Sequence, residues 1–384
     1  MDDQVGKPRI AIVCPGIGLV QRGYERVMSD LFSVLRDSDQ VDIHLFKGKG
    51  ATNKRETVPF FLARNGFILR NIPLHKLLGG GSHRAPMHVE SLTLLLGMLP
   101  ALLSGRFDII HTIDPPFARI LSKLKNRLGL SFKVLHTEAS DMRASDYPPV
   151  DFIHQVSPVS YDEAIAYGVP AQSMHLIPIG INSQRFSSDL TRKDLRKKYS
   201  IDDSTFVVLS VAALNRYHKR IDYLIEEFEQ LEGNDLLWLD GSMDLGEADI
   251  PDLAKQSLGE RCRLSHIPSQ DIGELYNLAD VMVLASINEA FGMVVIEALS
   301  TDTAVLVHDC PHFQWLINDQ KNLVDMGQQG ALEHRLNELK NNRSILEDLR
   351  HSEEIRRRFE WQYLAKEYES MYIKLADRTL EACH

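Results

Sequence analysis

Two glutamates, Glu289 and Glu297, and two cations, Arg216 and Lys219, are the residues of this chain whose types and spacing lend themselves to chemistry. Glu289-Ala290-Phe291-Gly292-Met293 comes directly after the apolar run Val281 to Leu284, and a helix is expected to begin near Met293. The first carboxylate then lies in a strand-to-helix loop and the second about one turn into the helix. Such a pair can hold vicinal hydroxyls of a sugar by charge-assisted hydrogen bonds, while the N–H groups of Phe291, Gly292 and Met293 at the helix start can meet a phosphate. Taken singly, each has a plain structural reading: Glu289 as a helix N-terminal acid, Glu297 as a solvated helix residue.

Arg216, Lys219 and Arg220, in Asn215-Arg216-Tyr217-His218-Lys219-Arg220, stand between a buried run and the helix Ile221 to Gln230. Cations at a helix N-terminus oppose its dipole unless an anion joins them, so the cluster reads as a phosphate site, with a solvated basic turn as the alternative. Near the start of the chain, Cys14-Pro15-Gly16-Ile17-Gly18-Leu19 links a strand to a helix opening at Gly23. Gly16 and Gly18 would let backbone N–H groups approach a phosphate, or they form only a turn; the spacing is not that of a nicotinamide fingerprint.

These residues need a frame. Short apolar runs alternate with longer amphipathic stretches, the pattern of buried parallel sheets. One series takes Ile10 to Val13, Val41 to Phe46, Phe107 to Ile110, Lys133 to Leu135, Phe152 to Val156 and Met174 to Ile177 as strands; a second takes Phe206 to Val211, Leu236 to Leu239, Val281 to Leu284, Val305 to Val307 and Leu323 to Val324. Between them, Pro178 to Asn182 reads as a hinge, and a helical tail is expected from Ser344 to about Leu380. The expectation is an α/β chain of two tandem doubly wound Rossmann-like domains facing a central cleft, since open α/β sheets bind ligands beyond the carboxyl ends of their strands.

The 384 residues are enough for two or three domains, and 44 % hydrophobic with 25 % charged residues excludes disorder or a fibrous chain. A net charge of -10 argues against a nucleic-acid binder. Cys14, Cys262, Cys310 and Cys383 are too scattered for a zinc site or a disulfide framework, and the first nine residues have no apolar core of a leader. The most apolar stretch, Leu92 to Leu103, is short for a membrane span. A cytoplasmic setting is expected, with peripheral contact at the inner face of a membrane left open.

In combination the motifs resemble a known family. Ser286 to Ala298, with Glu289 and Glu297, is similar to the E-x7-E signature of retaining, nucleotide-sugar-dependent glycosyltransferases of the GT4 type, which have the GT-B fold. Gly23-Tyr24-Glu25-Arg26, Asp108 to His111, His136, Ile177 to Asn182, Ile267 to Ile272 and Phe359-Glu360-Trp361 resemble further family motifs in the family's order, from about residue 10 to residue 375. The resemblance implies residues 1–182 as an acceptor-side domain, 183–360 as the nucleotide-sugar donor domain, and 361–384 as a helix crossing back to the first. It implies donor contacts from Gly16, Gly18, Arg216, Lys219, Ile267, Phe291, Gly292, Met293 and Glu297. It also implies catalytic parts for His136, Glu289, Arg216 and Lys219, with no metal and no cofactor beyond the sugar nucleotide. The acceptor would be a hydroxyl of a glycan, glycolipid or small molecule. A non-catalytic sugar-nucleotide-binding subunit, and a GT-B epimerase or phosphorylase, are the alternatives. Departures include Ala290 in place of glycine and Arg220 after Lys219.

One further segment has a charge of its own. Lys47, Lys49, Lys54, Arg55, Arg64, Arg70, Lys76 and Arg84 face a single acid, Glu56, in residues 47–84. With the apolar stretch that follows, residues 47–103 are expected to meet an anionic acceptor or an anionic membrane surface.

Overall fold

The computed structural model describes residues 7–377 except 21–22, 65, 68, 70–83, 141 and 245, and it leaves out the side chains of Arg84 and Ala85. Arg70, Lys76 and Cys383, singled out above, lie outside the described residues, as does the end of the expected tail at Leu380. The chain divides into one compact unit of Met1–Gly180 with Trp361–His384 and a second of Ile181–Glu360.

The first unit holds seven parallel strands: β1 (Arg9–Cys14), β2 (Asp42–Lys47), β3 (Glu56–Thr57), β4 (Ile109–Thr112), β5 (Lys133–Glu138), β6 (Phe152–Gln155) and β7 (Met174–Leu176). Their order is β3-β2-β1-β4-β5-β6-β7. Pairing is in register, with Ile10 beside Ile43 on one side and Ile109 on the other. Ile10 to Val13 are wholly buried, as expected of a central strand covered on both faces. The helix Arg84–Leu103 packs Leu94, Leu95, Met98 and Leu102 into a core with Phe46, Phe107, Phe117 and Val134.

That helix is longer than the apolar run expected from sequence. Its window Pro86–Leu103 has a mean hydropathy of 1.4, enough to cross a membrane by length and composition alone, and a third of it is buried. The residues before Leu92 join it because Glu90 finds an internal partner, Arg64, and so can be buried.

The second unit repeats the topology with β8 (Val207–Val211), β9 (Leu236–Asp240), β10 (Cys262–Ser265), β11 (Val281–Leu284), β12 (Ala304–His308) and β13 (Leu323–Val324), all parallel, in the order β10-β9-β8-β11-β12-β13. Its core gathers Phe206, Val208, Leu224, Phe228, Leu239, Val283, Leu306 and Leu336. In both sheets the order reverses beside the first strand, at β1/β4 and at β8/β11, which is where a doubly wound sheet opens a crevice at its carboxyl ends.

Two strands escaped the sequence reading. β3 and β10, Glu-Thr and Cys-Arg-Leu-Ser, are edge strands and carry no apolar run. The expected closing helix is three: Ser344–Asp348, Ser352–Phe359 and Trp361–Ala376. Glu360 breaks it by going extended, φ -65° and ψ 134°, so that the Phe359 carbonyl accepts from the Ile181 N–H at 2.7 Å. The last helix belongs to the first unit, where it packs on the helix Gly23–Leu35. There Trp361 lies so close to Gly180 that a Cβ would collide with the indole.

Candidate active site

In the second unit the loops after β8 and β11 meet at the reversal of the sheet order. Asn215 organises the first: its Oδ1 accepts from the N–H groups of His218 (3.0 Å) and Lys219 (2.8 Å), an Asx turn that bends the chain just ahead of the helix Ile221–Glu229. Arg220 takes the left-handed conformation at the helix boundary (φ 53°), and its guanidinium reaches the Met326 carbonyl (2.9 Å) and stacks 4.0 Å over Tyr223. That leaves Lys219 aimed at the second loop, where its ammonium is ion-paired with Glu289, a side chain 9 % exposed. His218 donates from Nε2 to the Asn288 carbonyl at 3.0 Å, tying the loops together.

Arg216 does not share this cluster's partners. It is held by Glu247 (2.6 Å) and, in a two-pronged pair, by Asp249 (3.0 and 2.8 Å). Hydrogen bonds to Asp249 and Glu247 hold its guanidinium above the usual value, and the same contact lowers Asp249. The expected phosphate pair is thus engaged by two sets of carboxylates, supplied by loops that spacing alone did not connect.

Gly292 begins the helix Met293–Ser300 from the left-handed region (φ 79°), where an L side chain would be strained. The Phe291 side chain is core, edge-on to Trp315 and Phe359 with ring centroids about 6 Å apart. Its carbonyl accepts from His312 Nε2 at 3.1 Å. Burial lowers His312, against that bond and the nearby Glu289 charge. Glu297, 3 % exposed, accepts from the Tyr276 hydroxyl at 2.9 Å. It is no solvated helix residue. Ile267 is half-buried, its N–H given to Asp240 Oδ1 at 2.9 Å.

His136, Gly16 and Gly18 belong to the first unit. His136 on β5 is 1 % exposed; Nε2 lies 3.4 Å from Glu138 Oε2, and Nδ1 has no partner among the described residues. Gly18 has φ 82° and a Cβ there would strike the Lys49 carbonyl; a Cβ at Gly16 would strike the Glu25 carboxylate. Gly16, Cys14, Tyr24, Glu25, Arg64, Glu90 and Asp114 are among the residues lining a pocket of about 350 Å³.

The basic segment 47–84 is far less basic in the fold. Lys47 pairs with Glu56, Arg55 with Asp37 (3.6 Å), and Arg64 with both Glu90 and Asp114 (2.8 Å). Three of its acids, Asp37, Glu90 and Asp114, come from outside the segment and could not be counted within it. Lys49 and Lys54 remain exposed.

A loop cluster of cations and carboxylates at the crevice of a doubly wound sheet is a site for anions and hydroxyls. Residues 191–358 match the model of the family described as Glycosyl transferases group 1. The matched residues lie within the second unit. The chain is also 32 % identical over 179 residues to mannosylfructose-phosphate synthase of Agrobacterium fabrum, which is 42 % of this chain and 39 % of that protein. It is 23 % identical over 292 residues to alpha-galactosylglucosyldiacylglycerol synthase of Streptococcus pneumoniae, covering 69 % and 76 %. Sucrose-phosphate synthase of Thermosynechococcus elongatus superposes over 96 % of this chain and 99 % of its own with a TM-score of 0.76 at 19 % identity. That likeness shows the GT-B fold.

Sequence reasoning missed the residues that place its side chains: Asn215, Glu247 and Asp249, His312, and the Arg64–Glu90–Asp114 network. Only Asn215 carried a local signal, an asparagine three and four residues before the N–H groups it captures.

Proposed function

We propose that this chain is a glycosyltransferase that moves a hexosyl unit from a nucleotide diphosphate sugar to a hydroxyl of a glycan, glycolipid or small-molecule acceptor, with retention and without a metal ion. The bond from the sugar's anomeric carbon to the diphosphate breaks, the acceptor oxygen bonds that carbon on the same face, and the acceptor proton passes to the departing phosphate. Lys219 and Arg216 offset the charge developing on that phosphate, which is electrostatic stabilisation of the transition state. Glu289 takes a hydroxyl of the sugar, Glu297 the ribose, and the Phe291 to Met293 backbone the phosphate or sugar, with Ile267 beside the base. His136 contacts the sugar through an imidazole whose Nδ1 has no partner among the described residues, and Gly16 and Gly18 allow close approach by the first unit's loop.

The observation that carries this reading is the Lys219–Glu289 pair, set by Asn215 in a segment that matches the family. On this reading the cation for the leaving group and the carboxylate for a sugar hydroxyl are the two members of that ion pair. A thermal-shift screen against UDP-, GDP-, ADP- and dTDP-sugars tests it, since a donor at 100 times its Kd adds about 2.7 kcal/mol. One donor should stand out, and with an acceptor it should yield the retained anomer in excess chelator. Binding without product would favour a non-catalytic subunit; turnover without an acceptor, or with free phosphate only, an epimerase or phosphorylase.

The same reading includes a cytoplasmic enzyme held reversibly at a membrane's inner face through residues 47–103. Leu92, Leu96 and Leu103 are exposed on the helix Arg84–Leu103, and Phe60 is 75 % exposed. Phe60 lies against that helix, since a Cβ at Gly97 would strike its carbonyl. The Streptococcus pneumoniae relative is named for a glycolipid. Co-sedimentation with anionic vesicles at low and high salt tests this contact, and Leu96→Glu should abolish it.

A further inference from the structure

Glu289 stands in a loop that its own backbone does not hold. The chain leaves β11 and reaches Gly292 before the helix Met293–Ser300 begins, and residues 287–291 make no backbone-to-backbone hydrogen bond among the described residues. Such a stretch is placed by the side chains that reach its carbonyls.

Two histidines do so, one on either side of Glu289. His218, from the loop after β8, donates from Nε2 to the Asn288 carbonyl at 3.0 Å. His312, in the helix Pro311–Ile317, donates from Nε2 to the Phe291 carbonyl at 3.1 Å. Both directions follow from the carbonyls, which only accept. The two anchors are unequal. Phe291 is also fixed by its buried ring, edge-on to Trp315 and Phe359, so the downstream end keeps its place without His312. Ile287 and Asn288 are exposed, and Asn288 has no other hydrogen bond among the described residues. The upstream end therefore depends on His218.

The Asn288 carbonyl lies in the peptide plane that leads into Glu289. Because that plane is rigid, a bond to its oxygen orients the Glu289 N–H and Cα as well. The Glu289 carboxylate is ion-paired with Lys219, the next residue after His218, and lies 3.8 Å from His218 Nε2. Asn215 accepts from the N–H groups of both His218 and Lys219, so the histidine is itself held where it can hold the loop. Glu297 is outside this arrangement, on the helix beyond Gly292 with the Tyr276 hydroxyl at 2.9 Å.

We propose that His218 is a positioning residue that sets Glu289 for a hydroxyl of the transferred sugar, and so governs acceptance of the sugar part of the donor and not of its nucleotide part; this deepens the transferase reading above and rests on it. A carboxylate takes a hydroxyl well only along a short, aligned hydrogen bond, so a small displacement of the loop is felt at the sugar. Without the tether the Asn288 carbonyl turns to water and Glu289 is free to follow. The groups assigned to the nucleotide, Glu297 and Ile267, are held by Tyr276 and Asp240 and stay in place.

The test is calorimetry on the full chain with UDP, GDP, ADP and dTDP, each beside its glucose conjugate. The parent is compared with His218→Ala, with His218→Phe, which keeps a ring and loses the donor, and with His218→Gln, whose amide N–H has about the reach of Nε2. The ratio of sugar-nucleotide to nucleotide affinity should fall about tenfold in the Ala and Phe variants, with nucleotide affinity level, and return to within about threefold in His218→Gln. Should His218→Ala fail to fold, the Phe and Gln pair carries the test. Equal weakening of nucleotide and sugar nucleotide would make His218 a structural tie and overturn the proposal. A ratio unchanged by loss of the donor, or not restored by His218→Gln, would overturn it too. If the parent binds nucleotide and the ratio does not move, this inference fails alone; if no nucleotide binds the parent, the transferase reading fails with it.

Discussion

His111 and His154, on neighbouring-but-one strands, share a single hydroxyl, Thr137 Oγ1, at 2.6 and 2.9 Å. The direction of every hydrogen in this chain of contacts follows from its end. His154 Nε2 lies 2.8 Å from the Ile177 carbonyl, which can only accept, so Nε2 carries the proton and Nδ1 accepts from Thr137. Thr137 must then accept from His111 Nε2, and His111 Nδ1 accepts from the Tyr372 hydroxyl at 2.7 Å. The closing helix is thereby joined to β4, β5 and β6 by one line of donors, and both imidazoles are neutral.

Protonating either ring breaks that line. Burial pulls His154 down to about 4 and His111 well below its ordinary value. The unfolded chain, with histidines near 6.5, takes up protons first as pH falls. Stability from these groups is therefore complete above about pH 6.5 and declines toward pH 4, by up to ~3 kcal/mol for His154. Urea melts between pH 7 and 4.5 should show this slope, and His154→Gln should flatten it. Thr137→Val, which strands a donor and an acceptor, should cost about 2–4 kcal/mol at pH 7.

Lys219→Ala should lower transfer by about 100-fold or more beyond any loss of folded protein, because its ligand partner is a leaving phosphate. Steady-state rates beside thermal melts read the split. A rate that follows the loss of folded protein would make the Lys219–Glu289 pair merely structural.

Glu297→Ala should weaken nucleotide binding by roughly 1.5–3 kcal/mol in calorimetry. Tyr276→Phe removes the hydrogen bond that Glu297 accepts from the Tyr276 hydroxyl and serves as the comparison. If both variants bind nucleotide like the parent, Glu297 is a core residue and no ribose contact.

Gly18→Ala and Gly16→Ala should differ in kind. At Gly18 a methyl meets the Lys49 backbone at φ 82°, so about 1–3 kcal/mol of stability should be lost. At Gly16 it meets the Glu25 side chain rather than backbone, so melts should shift less. Equal Tm losses would contradict this reading of the pocket wall.

The central strands, the two-series order, the loops bearing Arg216, Lys219 and Glu289 and the helix bearing Glu297 were legible in the sequence. Burial on both faces writes itself as a continuous apolar run, and a strand-to-helix loop lies wherever such a run ends. β3 and β10 were not legible, since an edge strand is held by its neighbour's backbone and asks little of its own side chains. Charge was the least legible property. Lys47, Arg55, Arg64 and Arg216 look like open cations in one dimension, yet Glu56, Asp37, Glu90 with Asp114, and Glu247 with Asp249 meet them in three. The sequence determined which residue types stand at the ends of the strands. Only the tertiary structure decided which charges meet, because an ion pair depends on a few ångströms between chain segments that pattern leaves unconnected.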